Sequence, residues 1–132
     1  MPDFPLTVTA WTAVFLGVLY IWLTLRVVRG RRSGRIVHGD GGDPVFAKKV
    51  RGHANAAEQI PLGLILLGLN EAVGPTWLAL LIAASLVVGR YLHGAYFAIH
   101  GLPWQLRSAG MLLTVGAQII GVAGLAVALV AG

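Results

Sequence analysis

The chain contains no cysteine, which excludes disulfides, thiolate nucleophiles and cysteine-ligated metal sites, so any sulfur chemistry has to arrive with a ligand. Charge is almost as scarce: charged residues are 11 % of the 132 and only five are acidic, against 57 % hydrophobic residues and a mean hydropathy of +0.79. Such a composition cannot build a surface that water covers, and it marks an integral membrane protein. The four histidines (His38, His53, His93, His100) show no His-x-x-x-His spacing, and without cysteine no metal site is expected.

What is present is organised in long runs without charge. Residues 5–25, 72–89 and 108–132 carry none, and residues 52–70 carry only Glu58. A bilayer core of about 30 Å needs roughly 20 apolar residues as a helix, with every backbone polar group satisfied internally. The pattern therefore predicts an all-α, four-transmembrane-helix bundle, one membrane domain over residues 1–132, with helices near 5–28, 45–70, 75–99 and 104–130 and a loop at about 29–44. Met1-Pro2-Asp3 lacks the positive segment of a cleavable signal peptide and the first apolar run is longer than such a peptide needs, so the first helix is expected to be kept.

Eight of the ten basic residues (Arg26, Arg29, Arg31, Arg32, Arg35, Lys48, Lys49, Arg51) flank or occupy the first connection, and the second, around residues 70–74, has none. The positive-inside rule then places the first and third loops in the cytoplasm and both termini on the opposite side. This basic run adjoins a membrane helix and lacks interleaved aromatics, so no nucleic-acid partner is expected. Within the loop, Gly39-Asp40-Gly41-Gly42-Asp43-Pro44 reads as a turn plus a helix start, with Asp43 as cap and Pro44 in the first turn. A direct ligand role is the other reading, although the spacing is not that of a phosphate loop.

Several polar residues fall inside the predicted spans. Arg51, Asn55 and Glu58, at i, i+4 and i+7, form one stripe of the second helix with His53 to its side; Arg90 and His93 are i, i+3 neighbours continued by Phe97; Arg107 and Ser108 open the fourth helix. A Glu58–Arg90 ion pair is expected from their similar depth, because either charge left alone in the membrane is expensive. Such a pair either locks two helices or serves a ligand. The wider set, with Arg26 and Arg29, is an excess of cations that a ligand with more than one carboxylate would neutralise, and an amine on that ligand would suit Glu58.

Arg51-Gly-His53-Ala-Asn55-Ala-Ala-Glu58, followed by Ile60-Pro61-Leu62, resembles the second-helix signature of the MAPEG family, membrane-associated proteins in eicosanoid and glutathione metabolism. Gly89-Arg90-Tyr-Leu-His93 and Leu106-Arg107-Ser108-Ala-Gly110-Met111 are similar to its third- and fourth-helix motifs, and with Gly39-Asp40-Gly41-Gly42 the pattern is nearest to the family's bacterial inner-membrane branch. The resemblance implies a homotrimer with glutathione, as co-substrate, bound between subunits near the cytoplasmic side, and a transferase or peroxidase acting on lipophilic electrophiles that arrive from membrane lipid. It implies that Arg51, His53, Asn55 and Glu58 hold glutathione, joined by Arg90 and His93 and by Arg29 of the adjoining subunit, while Arg107 and Ser108 face the sulfur. The chemistry is coherent: a thiol of pKa about 8.5 is mostly protonated at neutral pH, and a guanidinium beside it stabilises the reactive thiolate. Ser108 reads either as a second hydrogen-bond donor to that sulfur or as a helix cap.

This chain departs from the better-studied eukaryotic members at Ala54, where they carry arginine, and at Phe97 and Met111, where they carry tyrosines. Glutathione binding is thus better supported than any named reaction. Two other readings stand beside it: a catalytically silent membrane scaffold, which gives the Arg-Asn-Glu stripe no purpose, and a small proton-coupled multidrug exporter, whose cationic cargo the surplus positive charge would repel. Trp11, Trp22, Trp77 and Trp104 read as interfacial anchors, Ala117-x-x-x-Gly121 as helix packing, and Asn70 and Glu71 as the end of the second helix.

Overall fold

A computed structural model describes residues 5–131; Met1-Pro2-Asp3, read above for its lack of a signal segment, lies outside them. Four helices follow one another, α1 (Thr7–Gly34), α2 (Pro44–Val73), α3 (Thr76–Ala98) and α4 (Trp104–Ala131), with no strand among the described residues. α1, α3 and α4 are each long and apolar enough to cross a membrane. α2 has 30 residues, and Lys48, Lys49, Arg51, Glu58 and Gln59 dilute its apolar character. It packs within the bundle and is tied to α4 at two levels: Gln118 Nε2 donates to Gln59 Oε1 at 3.1 Å, and Asn70 Nδ2 donates to the Gly121 carbonyl at 2.8 Å.

The helices alternate in direction. The start of α1 meets the end of α2, where the Glu71 carboxylate accepts from the Val8 and Thr9 backbone N–H groups at 2.8 and 2.7 Å and from the Thr9 hydroxyl at 2.7 Å. Those N–H groups belong to the first turn of α1, which has no partner of its own for them, so Glu71 serves as a cap supplied from another helix. Asn70 and Glu71 thus fasten α2 to its neighbours two to three residues before the helix ends at Val73.

α1 runs past the expected end near residue 28 and continues through its arginines to Gly34, so the loop shrinks from 29–44 to 35–43. Loss of hydropathy does not stop a helix whose residues favour helix; a cap does. Arg35 supplies it in the left-handed conformation (φ 52°), and the Ile36 N–H reaches back to the Arg31 carbonyl at 3.0 Å. The loop then turns at Gly39, Gly41 and Gly42, all at positive φ, and Asp43 caps α2 by accepting from the Val45 N–H at 2.9 Å with Pro44 as first helical residue.

Leu16, Leu19, Leu23, Ile60, Leu67, Ile82, Leu86 and Ala117 form a common core. Large apolar side chains also cover the outside, among them Val18 and Ile21 on α1 and Leu112, Ile119 and Leu129 on α4, the distribution expected where lipid is the solvent. All four tryptophans are exposed, and Trp77 and Trp104 stand within two residues of a helix start, consistent with interfacial anchoring.

α3 and α4 approach most closely at a pair of glycines. A methyl placed on Gly89 would lie 2.8 Å from the Gly110 carbonyl oxygen, and one on Gly110 would meet the Gly89 carbonyl and the His93 backbone nitrogen. Small residues let backbones touch where no hydrophobic effect drives helices together. Gly121, from the Ala117-x-x-x-Gly121 pattern, faces Leu66 and Asn70 of α2 in the same way.

Candidate functional site

The crossing of α3 and α4 fixes what lies one turn below it. His93, four residues after Gly89, is buried against α4, and its Nδ1 donates to the Arg107 carbonyl at 3.1 Å; a carbonyl can only accept, so Nδ1 carries the hydrogen. Arg107 and Ser108 are thereby held opposite α2, whose Arg51 and Asn55 face them. Together Arg51, Asn55, His93, Phe97, Arg107, Ser108 and Met111 line a cavity of about 300 Å³ between α2, α3 and α4.

Behind this wall lies Arg90, fully buried. Its Nη2 donates to Asn55 Oδ1 at 2.8 Å, while Nε and Nη1 are buried without partners. The bond fixes the Asn55 amide, since the oxygen is engaged by Arg90 and the NH₂ is the group left for the cavity. No acidic residue lines the cavity, and the Arg51 and Arg107 guanidinium groups have no hydrogen-bond partner among the described residues. The walls therefore present two cations, an amide donor and a serine hydroxyl, a set suited to an acceptor-rich, anionic ligand.

The expected Glu58–Arg90 pair is not formed. Arg90 meets Asn55 instead, and Glu58 is exposed on the outer side of α2. Glu58 lies about 4.5 Å further along the helix than Asn55 and is rotated by about 60° from it, which carries it off the α3 interface. His53 also leaves the group: its ring stacks on Tyr20 of α1 at 5.1 Å, and it does not line the cavity. Arg29 is exposed on α1 and does not line the cavity of its own chain. Arg26, counted in the cation excess, turns to the end of α3 and donates from Nη2 to the Ala98 carbonyl. Ser108 is no cap, since α4 begins at Trp104.

Phe97 and Met111 are walls of this cavity that sequence reasoning had named as departures and not as site residues. Their spacing holds the signal: Phe97 is i+4 from His93, and Met111 is i+4 from Arg107. Gly52 has a related role, because a methyl there would run into the Phe97 side chain. The glycine between Arg51 and His53 is what allows Phe97 its seat against α2.

A model of the MAPEG family matches residues 9–127. The chain belongs to the MAPEG family. Two similar relatives carry the name Inner membrane protein YecN, one from Escherichia coli strain K12 and one from Escherichia coli O6:H1; each is 33 % identical over 108 residues, covering 81 % of both chains. The MAPEG assignment and the fold agree on a multi-pass membrane protein of four helices. Of the residues carried over from MAPEG motifs, Arg51, Asn55, His93, Arg107 and Ser108 share one cavity, Arg90 supports it from behind, and Arg29, His53 and Glu58 lie elsewhere.

Proposed function

We propose that this MAPEG protein binds glutathione in the α2–α3–α4 cavity and, in a bacterial inner membrane, presents it as a thiolate to lipophilic electrophiles. The observation that carries the proposal is a lining that holds two guanidinium groups and no acid. Arg51 and the Asn55 amide suit the carboxylates of a tripeptide, and Arg107 with Ser108 offers a guanidinium and a hydroxyl to its sulfur. A volume of about 300 Å³ is at the low end for small-molecule sites, which span roughly 300–1,000 Å³, and a neighbouring chain would enlarge it.

Glu58 supports an assembly. It lies about 21 Å along α2, near the middle of the helix, and its exposure in the single chain would set a carboxylate against lipid at a cost of roughly 3 kcal/mol or more. A second subunit covering this face removes that cost, and the homotrimer implied by the family resemblance supplies one. Arg29 and Glu58, both outside the cavity of their own chain, are the residues left for a site shared between subunits. Phe97 and Met111 offer the cavity no hydroxyl, so binding is the better supported part of the reading and conjugation or peroxide reduction the further step.

Calorimetric titration of the purified protein in detergent with glutathione, followed by assay against a model electrophile, tests this directly. Heat should appear with one or more sites per trimer. Absence of heat at millimolar glutathione sinks the proposal, and binding without turnover shows a silent glutathione-binding bundle.

A further inference from the structure

A second pair of cavities lies on the other side of α3. The groove between α1 and α3, of about 410 Å³, is lined by Val18, Leu19, Trp22, Tyr91, Ala95 and Ile99, and its one phenol is engaged, the Tyr91 hydroxyl donating to the Phe15 carbonyl at 2.8 Å. Ile99 also lines a smaller cavity of about 130 Å³, whose walls include Arg26, Lys48, Lys49 and His100 and no acid. Asp43, the cap of α2, gives its carboxylate to the Val45 N–H and is not among the lining residues.

The mouth is organised. The Arg26 guanidinium lies over Trp22 at 5.1 Å, its Nη2 caps the end of α3 at Ala98, and its Nε is buried without a partner. The Lys48 ammonium sits 3.8 Å from the centre of the Tyr96 ring. A tryptophan beneath a guanidinium, at the level where α1 changes from apolar to arginine-rich sequence, is the expected arrangement at a headgroup layer. Scattered interfacial cations would account for each residue singly. They do not account for a cationic chamber that shares the Ile99 wall with a lipid-facing apolar groove.

We propose that these adjoining cavities bind an anionic phospholipid, with its phosphate among Arg26, Lys48 and Lys49 and one acyl chain passing Ile99 along the α1–α3 groove. A free phosphate makes no use of the groove. A lipophilic cation is repelled by the mouth, and the choline of a zwitterionic lipid meets the same repulsion. Phe97 lines both the chamber and the α2–α3–α4 cavity, but their basic residues differ, Arg26, Lys48 and Lys49 against Arg51 and Arg107, and the lipid site stands whether or not glutathione binds.

Native mass spectrometry of the protein with phosphatidylglycerol or phosphatidylcholine of equal acyl chains tests the site. Phosphatidylglycerol should be retained in preference, and K48Q/K49Q should lower that preference about 25-fold, at about fivefold per lysine. Ala95→Phe, which fills the groove, should lower retention of phosphatidylglycerol while helicity by circular dichroism is unchanged; should it unfold, Val18→Phe fills the same groove from α1. Equal retention of the two lipids by the unaltered protein overturns the proposal, as does a K48Q/K49Q variant that keeps its preference. So does a filled groove with full retention, or displacement of the lipid by millimolar glycerol phosphate, which would mean that the headgroup alone is held.

Discussion

Asn55 serves two neighbours at once: its oxygen accepts from Arg90 and its amide NH₂ belongs to the cavity. Arg90 has no other partner, so Asn55→Ala strands a whole buried guanidinium. The expected loss is about 3 kcal/mol, larger than for an ordinary side-chain hydrogen bond, read as a lower thermal midpoint in detergent. Arg107 differs, because its guanidinium is exposed at the cavity and only its backbone is tied, to His93. Arg107→Ala should leave the fold and much of the glutathione affinity intact while the thiolate absorbance in the near ultraviolet disappears; unchanged absorbance removes Arg107 from that role. The stripe of Arg51, Asn55 and Glu58 was legible from spacing alone, and the cavity uses its first two members. Its contact with Arg90 was not legible, because a stripe gives relative angles on one helix and leaves open which helix faces it. A rotation of about 60° separates the asparagine that meets Arg90 from the glutamate that does not.

Among the elements, the α3–α4 pair is the most closely fitted. Gly110→Ala has no free space, since the added methyl meets backbone atoms of Gly89 and His93, and repacking should cost about 1–3 kcal/mol. Gly116→Ala on the same helix is the matched control, with nothing within 4 Å of the added atom, and should change stability little. Comparison of their unfolding midpoints separates close approach from helix propensity. If both variants fall equally, the crossing is not the cause. Gly110→Ala should also weaken glutathione binding, because the same crossing sets His93 against Arg107. The four helices themselves could be read from charge-free runs, since lipid leaves the chain few other choices. The end of α1 could not, because arginines continue a helix as readily as they leave a membrane, and the left-handed Arg35 has no counterpart in hydropathy.

For the molecule as a whole, the absence of cysteine makes orientation directly measurable with single introduced thiols. Val37→Cys lies in the 35–43 loop at 78 % exposure, and Thr76→Cys opens α3 after the opposite turn. With the arginine-rich loop inside, a membrane-impermeant maleimide applied to intact cells should label the second variant and reach the first only after permeabilisation. The reverse pattern would invert the topology. The bond network around Glu71 has a bearing on biosynthesis. The first turn of α1 leaves the ribosome early, yet the carboxylate that satisfies its N–H groups comes 63 residues after Val8. Until residue 71 has been made, that end of α1 has no cap from α2. The cap that closes the first turn of α1 thus lies within the opening helical hairpin and draws on neither α3 nor α4.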